Sequence, residues 1–511
     1  MRTFRRVPAF CFALGMLSLI AAAGCGGGAP ILNHVTGHFT DGSLKGTYVY
    51  QLRGVALVNG TTIVPYRQVG VFTANGSEGI TGTDDSSVSA VGTAITGSYK
   101  IFSDGTGQIT FNTSTLGAIQ FAVTMVSPSR VQLIENDAGL NAAGTAELQD
   151  PAAAATTPNG TFVFRLHQEA AAQNASEEAS QVGGFSVSSG TGAGAMDQVL
   201  GTPSSAVLTS LNVTVSLNAP DASGRGTATI LDTTTSPNFT THLLYYVVNS
   251  GELALLVTDA GAIGSGSAEV QTSVASGTGL SGNYVFGSRG DDLFLQGLAT
   301  VGQLNATAGA ITGTEDVMQD GNYTPNAALP STCYEAGAAG GINGRVVVTN
   351  GSGSPCSGST TQIFWMVNPS RALFLNHNGA TFEDGTADLQ STNSFAASTF
   401  LGEFVIDMDG LDRTPERVGF PDLYLSRVGL LRFDGSSNLT LNEFANELNG
   451  GSNPTGGLIA GTYSVAANGR VVAHLNGNTL NFVMYAASGS KVYALQQDSL
   501  IITSGTLELQ P

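Results

Sequence analysis

The sequence predicts an all-β protein of four tandem antiparallel modules, each of about eight strands, with an up-and-down barrel favoured over an immunoglobulin-like sandwich. Three observations carry the prediction. Two short motifs each recur four times at near-constant separation. Apolar and polar residues alternate with the period of two of a half-buried strand. No stretch after the first 25 residues shows a convincing amphipathic period of 3.6. Composition agrees: 11% of the 511 residues are charged, against roughly 25% in an average globular protein. The 67 glycines follow no G-x-y period, which excludes collagen.

The opening motif reads Gly46-Thr-Tyr-Val-Tyr50, Gly160-Thr-Phe-Val-Phe164, Gly282-Asn-Tyr-Val-Phe286 and Gly402-Glu-Phe-Val-Ile406. The closing motif reads Gly144-Thr-Ala-Glu-Leu-Gln149, Gly266-Ser-Ala-Glu-Val-Gln271, Gly385-Thr-Ala-Asp-Leu-Gln390 and Gly505-Thr-Leu-Glu-Leu-Gln510. Opening and closing glycines lie 98, 106, 103 and 103 residues apart, a repetition that marks tandem structural units. Modules are therefore expected over 46–150, 160–271, 282–390 and 402–511. Their connectors, 150–159, 272–281 and 391–401, suit either beads on a string or docked neighbours. In the first module strands are expected at 47–53, 67–74, 78–84, 93–102, 107–113, 118–126, 130–136 and 144–149. Short turns carrying Gly, Asn, Asp or Ser join them. This local hairpin order favours a small barrel, whose interior is filled or holds one ligand; a sandwich is the alternative. Gln168–Ser180, the best helix candidate, reads as a loop insertion.

Residues 1–24 have the layout of an export signal, with Arg2, Arg5 and Arg6 ahead of an apolar run too short for a stable span. The run ends Ala22-Ala23-Gly24-Cys25, which resembles the lipobox of bacterial lipoproteins, though Ala22 stands where Leu is usual. That resemblance implies acylation of Cys25, a flexible tether over 25–45 and a membrane partner reached through the lipid. Gly26 after the cysteine, by resemblance to lipoproteins of diderm bacteria, implies the outer membrane of the cell envelope. An ordinary secretory signal cut near Ala23 is the alternative.

The net charge of −19, with no basic cluster outside the first six residues, argues against nucleic acid as a partner. No P-loop, G-x-S-x-G elbow, HExxH or CxxC occurs, so neither an enzyme nor a cofactor is expected. The six histidines occupy non-equivalent repeat positions with no ligand spacing, which predicts strand or surface roles. Asp84-Asp85 and Glu315-Asp316 match between modules one and three; adjacent strand residues face opposite ways, and both pairs read as solvated strand ends. Asp407, Asp409 and Asp412 form a calcium candidate around Gly410, without the spacing of an EF-hand. Arg289-Gly290-Asp291 spells an integrin-binding tripeptide that a long glycine-rich chain can contain by chance. Export to an oxidising compartment predicts a Cys333–Cys356 disulfide, two free thiols being the alternative.

Tyr48, Tyr50, Phe162, Phe164, Tyr284 and Phe286 project to one face of their opening strands. They read as core, or as the wall of a ligand cavity, because the Gly-Thr-Tyr opening and the strand number resemble small barrels of the avidin and lipocalin kind. With one tryptophan, Trp365, a Trp-lined biotin cage is not expected. The functional expectation is a non-catalytic, lipid-anchored envelope protein with a binding, adhesion or structural role and an unidentified envelope or extracellular ligand. Loops at 54–67, 165–180 and 407–426 are its expected contact surface. A small-molecule carrier using barrel cavities, or a carbohydrate-active enzyme with two converging carboxylates, are the alternatives.

Overall fold

A computed structural model describes residues 38–511 apart from 60–61, 89–91, 138, 171–177, 203–204, 237, 293–296, 308, 330–332, 352–355, 357, 414–422, 449–450 and 455–457. The signal segment, Cys25, His34 and most of the tether lie outside the described residues.

Each module starts on an opening strand: Lys45–Val58, Gly160–Ala170, Gly282–Asp292 or Leu401–Asp412. It pairs on one side with a second strand: Thr62–Asn75, Glu178–Ser188, Leu298–Thr307 or Leu423–Asp434. On its other side lies the closing strand: Leu140–Leu148, Ala262–Val270, Thr381–Leu389 or Ile501–Leu509. Return of the last strand to the first closes modules one and two into eight-stranded barrels. Module four closes likewise, with the short strand Gly451–Pro454 added beside the ring. Module three is a nine-stranded sheet whose end strands, Asn322–Ala328 and Cys333–Ala339, do not pair with each other. There a disulfide joins Cys333 to Cys356, with Cα atoms 5.6 Å apart.

The opening glycine has a backbone reason. Gly46, Gly160, Gly282 and Gly402 all have φ between 103° and 125°, a region that other residues rarely enter. The closing glycine has a steric one: a Cβ on Gly144, Gly266 or Gly505 would lie within 2 Å of the carbonyl oxygen of Gln51, Arg165 or Asp407. Counting from the opening glycine, the residues two and four places on point into the barrel. Tyr48 stacks on Phe72 at 5.3 Å and Phe162 on Phe185 at 5.6 Å; Phe286 meets Phe374 edge-on at 5.6 Å. Tyr50, Phe164 and Tyr284 are equally buried. All six candidate ligand-facing aromatics therefore serve as filled core, as the tight packing of small interiors requires.

The residue three places on is valine in every module, and it points out of the barrel yet is buried. Val49, Val69 and Val71 pack on Leu244, Tyr246 and Leu256 of module two. Val163 packs in the seam with Trp365 and Leu373 of module three, and Val285 in that with Val483 and Tyr485 of module four. Val405 and Leu430 meet Val126 of module one. The four modules thus close into a ring. The glutamine of the closing motif clamps each seam in the same way. Gln149 Nε2 donates to Ser223 O and Val247 O; Gln271 to Asn343 O and Met366 O; Gln390 to Asn468 O and Ala486 O. Gln510 completes the cycle onto Asp104 O and Met125 O of module one, at 3.1 and 2.8 Å.

Three seams also carry a buried carboxylate. Asp85 accepts from Arg225 and Tyr246, Asp197 from Arg345 and Trp365, and Asp316 from Arg470 and Tyr485. The expectation of solvated strand-end acids is corrected here. Asp84 and Asp85 do face opposite ways, but Asp84 turns inward to the Tyr50 hydroxyl (2.6 Å) and Asp85 turns to the neighbouring barrel. At the equivalent place module four has Phe444, opposite Val428, packed toward Ala122, Ile134 and Ala143.

Candidate functional site

Beyond its seam valine each opening strand continues to the axis of the ring. The same alternation that keeps Tyr48, Tyr50 and Leu52 in the core sends the odd places outward. Five places on stand Gln51, Arg165, Gly287 and Asp407; seven places on, Arg53, His167, Arg289 and Asp409; nine places on, Val55, Glu169, Asp291 and Leu411. Two chambers of about 280 and 260 Å³ lie along the axis, and Arg53, Arg67, His167, Arg289 and Asp409 line both.

This placement corrects the expected contact loops. Residues 54–58 and 62–67 are strand, as are 165–170, 178–180, 407–412 and 423–426. Gln168–Ala170 and Glu178–Ser180, the described parts of the helix candidate, are also strand. The outer face of one barrel is the inner face of the ring, so hairpins that look like surface insertions extend as paired strand into the centre.

The chambers are strongly charged. Asp409 accepts from the Tyr424 hydroxyl and pairs with Arg289 and with Arg53, whose Nε lies at 3.3 Å. Burial pushes its carboxyl up, but Arg289 and Arg53 outweigh burial and hold it below the usual carboxylate range. The calcium candidate is corrected accordingly: Asp409 is neutralised by guanidinium groups, and Asp412 lies on the opposite strand face from Asp407 and Asp409. Arg289-Gly290-Asp291 lies in the opening strand of module three, with Arg289 bound to Asp409 at the axis. Asp407 has an oxygen buried without a hydrogen-bond partner. Burial first, then the Asp409 charge, pushes its pKa up to about 8.

In module two, His167 Nδ1 is 3.0 Å from Asp384 Oδ2 and 3.2 Å from Ser180 Oγ. Arg165 Nη1 approaches the other Asp384 oxygen at 3.2 Å. Burial works to raise the Asp384 pKa; Arg165 and His167 overcome it and keep the group ionised. His167 Nε2 turns toward Glu169 Oε1, 3.9 Å away. Glu169 is paired across the strands with Glu178, and the same Oε1 accepts from Arg67. His167, Glu169 and Glu178 are the one group of three metal-capable side chains among the described residues, their ligand atoms within 4.8 Å of one another. The sequence reading passed over them; the signal available was His-x-Glu at the strand period.

No protein-family model matches the chain, and no curated protein does either. Among solved structures, a point mutant of the vaccine antigen transferrin-binding protein B from Haemophilus parasuis is similar at 9% identity. The alignment covers 76% of this chain and 82% of that one at a TM-score of 0.16, a likeness that carries no argument here.

Proposed function

We propose that the chain is a non-catalytic binding protein of the bacterial cell envelope, held at the outer membrane by acyl chains on Cys25, with its ligand site on the ring axis. One observation carries the binding reading. The four opening strands keep the same kind of residue at their core and seam positions, then differ in charge and type at the three places that meet at the centre. Burying charge is unfavourable unless it is paired, and a ring that served only as a spacer would be filled there by small apolar residues. Arginine, histidine and carboxyl groups gathered at that point suit a small polar or charged ligand. Filled barrel interiors argue against a carrier that uses barrel cavities.

The Ala22-Ala23-Gly24-Cys25 sequence supports the anchor, because two or three acyl chains at about 0.8 kcal/mol per buried CH₂ hold a protein on a bilayer. The test is fractionation of a diderm bacterium expressing the full chain. Wild type is expected in the membrane and detergent phases and Cys25→Ser in the soluble fraction; equal partition of the two overturns the anchor.

A further inference from the structure

The cluster on the long hairpin of module two has a geometry that the binding reading does not yet use. We propose that His167, Glu169 and Glu178 bind a divalent transition-metal cation of the zinc class at the ring axis, with Asp384 as the positioning residue. The inference rests on the binding reading of the axis and names its ligand class.

Three observations carry it besides proximity. Glu178 is 8% exposed, and its Oε2 is buried with no hydrogen-bond partner. A buried carboxylate oxygen left unpartnered is unfavourable unless a proton or a cation occupies the site.

The second observation is the brace on the imidazole. Asp384 Oδ2 lies 3.0 Å from His167 Nδ1, within hydrogen-bond distance, and also accepts from Ser180 Oγ. Nε2 is then the ring nitrogen turned toward Glu169, 3.9 Å from its Oε1. A metal-ligating histidine characteristically donates its other ring N–H to a carboxylate, which fixes tautomer and orientation. The third is charge. Arg53 and Arg289 are taken up by Asp409 and Arg165 by Asp384. Glu169, Glu178 and Asp291 then line this end of the axis with the guanidinium of Arg67, so carboxyl groups outnumber the cation left to meet them.

Ligand type selects the ion. One imidazole and carboxylates suit zinc and its first-row neighbours, whereas calcium prefers an all-oxygen set. Ligand bonds of about 2.1 Å set neighbouring donors roughly 3.0–3.5 Å apart. From a spread of up to 4.8 Å, small rotations bring the three together. The site is reachable, since the His167 and Glu169 side chains are 16% and 24% exposed on the chamber wall.

The test uses the purified full chain stripped with a chelator, titrated with Zn²⁺ against a chromophoric competitor and with Co²⁺ by visible absorption. Roughly one tight equivalent is expected, displaced by neither Ca²⁺ nor Mg²⁺. His167→Ala should abolish it, and Glu178→Gln and Asp384→Asn should each weaken it by about 10- to 100-fold. Asp384→Asn should also alter the Co²⁺ spectrum, which a merely structural role would not do. If Glu178→Gln fails to fold, Glu169→Gln at a more exposed position carries the same expectation. Zinc affinity equal in wild type, His167→Ala and Glu178→Gln would put the ion elsewhere and overturn the site, as would displacement by Ca²⁺. Membrane fractionation of Cys25→Ser is read separately, so failure of the anchor and failure of the metal site are distinguishable.

Discussion

Asp197→Ala is the most direct perturbation of the ring, because the only tryptophan of the chain reports on it. The Asp197 carboxylate is fully buried between modules two and three. Its Oδ1 accepts from Arg345 Nη2 (2.6 Å) and Ser210 Oγ (2.5 Å). Its Oδ2 accepts from Arg345 Nε (2.8 Å) and Trp365 Nε1 (2.8 Å). Truncation removes all four bonds and strands a guanidinium that is 21% exposed and an indole N–H that is wholly buried. Breaking a buried ion pair from one side costs about 3–5 kcal/mol. Partial access of water to Arg345 argues for the lower end, about 3 kcal/mol.

The cores of modules two and three do not involve this carboxylate, so the loss should fall on the seam. Under denaturant, Trp365 emission in Asp197→Ala should shift to the red well before the β-type circular dichroism is lost; in wild type the two should change together. The double variant Asp197→Ala/Arg345→Ala strands no charge. Its destabilisation should be less than the sum of the single variants by about 2–3 kcal/mol. A Trp365 transition within about 0.5 kcal/mol of wild type in Asp197→Ala, with additive single effects, would refute the claim that these charges hold the seam.

Two further outcomes follow from the same structure. Folding raises the Asp407 pKa from 3.8 to about 8, so in that window the folded chain holds a proton the unfolded chain has released, and stability falls as pH rises. Asp407→Asn removes the effect: it should melt like wild type near pH 4 and become increasingly more stable than wild type as pH rises to 8. Reduction of Cys333–Cys356 opens a loop of about 24 residues and should destabilise module three by about 3 kcal/mol. Hydrogen exchange should rise first in the hairpin Cys333–Ala339/Ile342–Thr349, with module one unchanged; uniform or absent change counts against a local staple.

The modules were legible because their cause is local. A strand must begin on a glycine that can adopt positive φ, place aromatics at alternate positions and end on a glycine that tolerates a close carbonyl. The two glycines recur four times over, and the aromatic pair three times, with Ile406 at its second place in module four. All eight strands of module one appear where alternation put them, the first two and the last running past the expected bounds at 53, 67 and 144. The ring left almost no such trace. Asp85, Asp197 and Asp316 look like solvated acids in a single chain segment, and only the neighbouring barrel makes their face an interior. The four closing glutamines were plain in the sequence, but their acceptors are carbonyls of the following module, which no local pattern can point to. His167, Glu169 and Glu178 come together by strand period and cross-strand pairing; Asp384, which orients the histidine, is 217 residues away.

The seam between modules four and one breaks the charge pattern, and its place in the chain explains why. The other three seams join modules tethered by short connectors, so docking is intramolecular over a short reach. The fourth must form without such a tether. At the place of the seam carboxylate it has apolar packing with neutral amides, so no carboxylate has to be desolvated there. Asn141 Nδ2 donates to Tyr424 O and Asn446 O, each at 2.7 Å, and Asn446 Nδ2 donates to Glu135 O at 2.6 Å. The exchange also controls which faces can meet. Module one has Thr106 and Thr124 where the other modules have an arginine and an aromatic. Docking Asp85, Asp197 or Asp316 against that face would bury a carboxylate with no cation, whereas Phe444 loses nothing there. A carboxylate at this one place on three seams, and Phe444 in its stead on the fourth, therefore favour one closure, module four onto module one, although Arg130–Glu508 and Arg53–Asp409 pairs also cross that fourth seam. That closure is what brings Asp407 and Asp409 to the axis opposite His167 and the arginines.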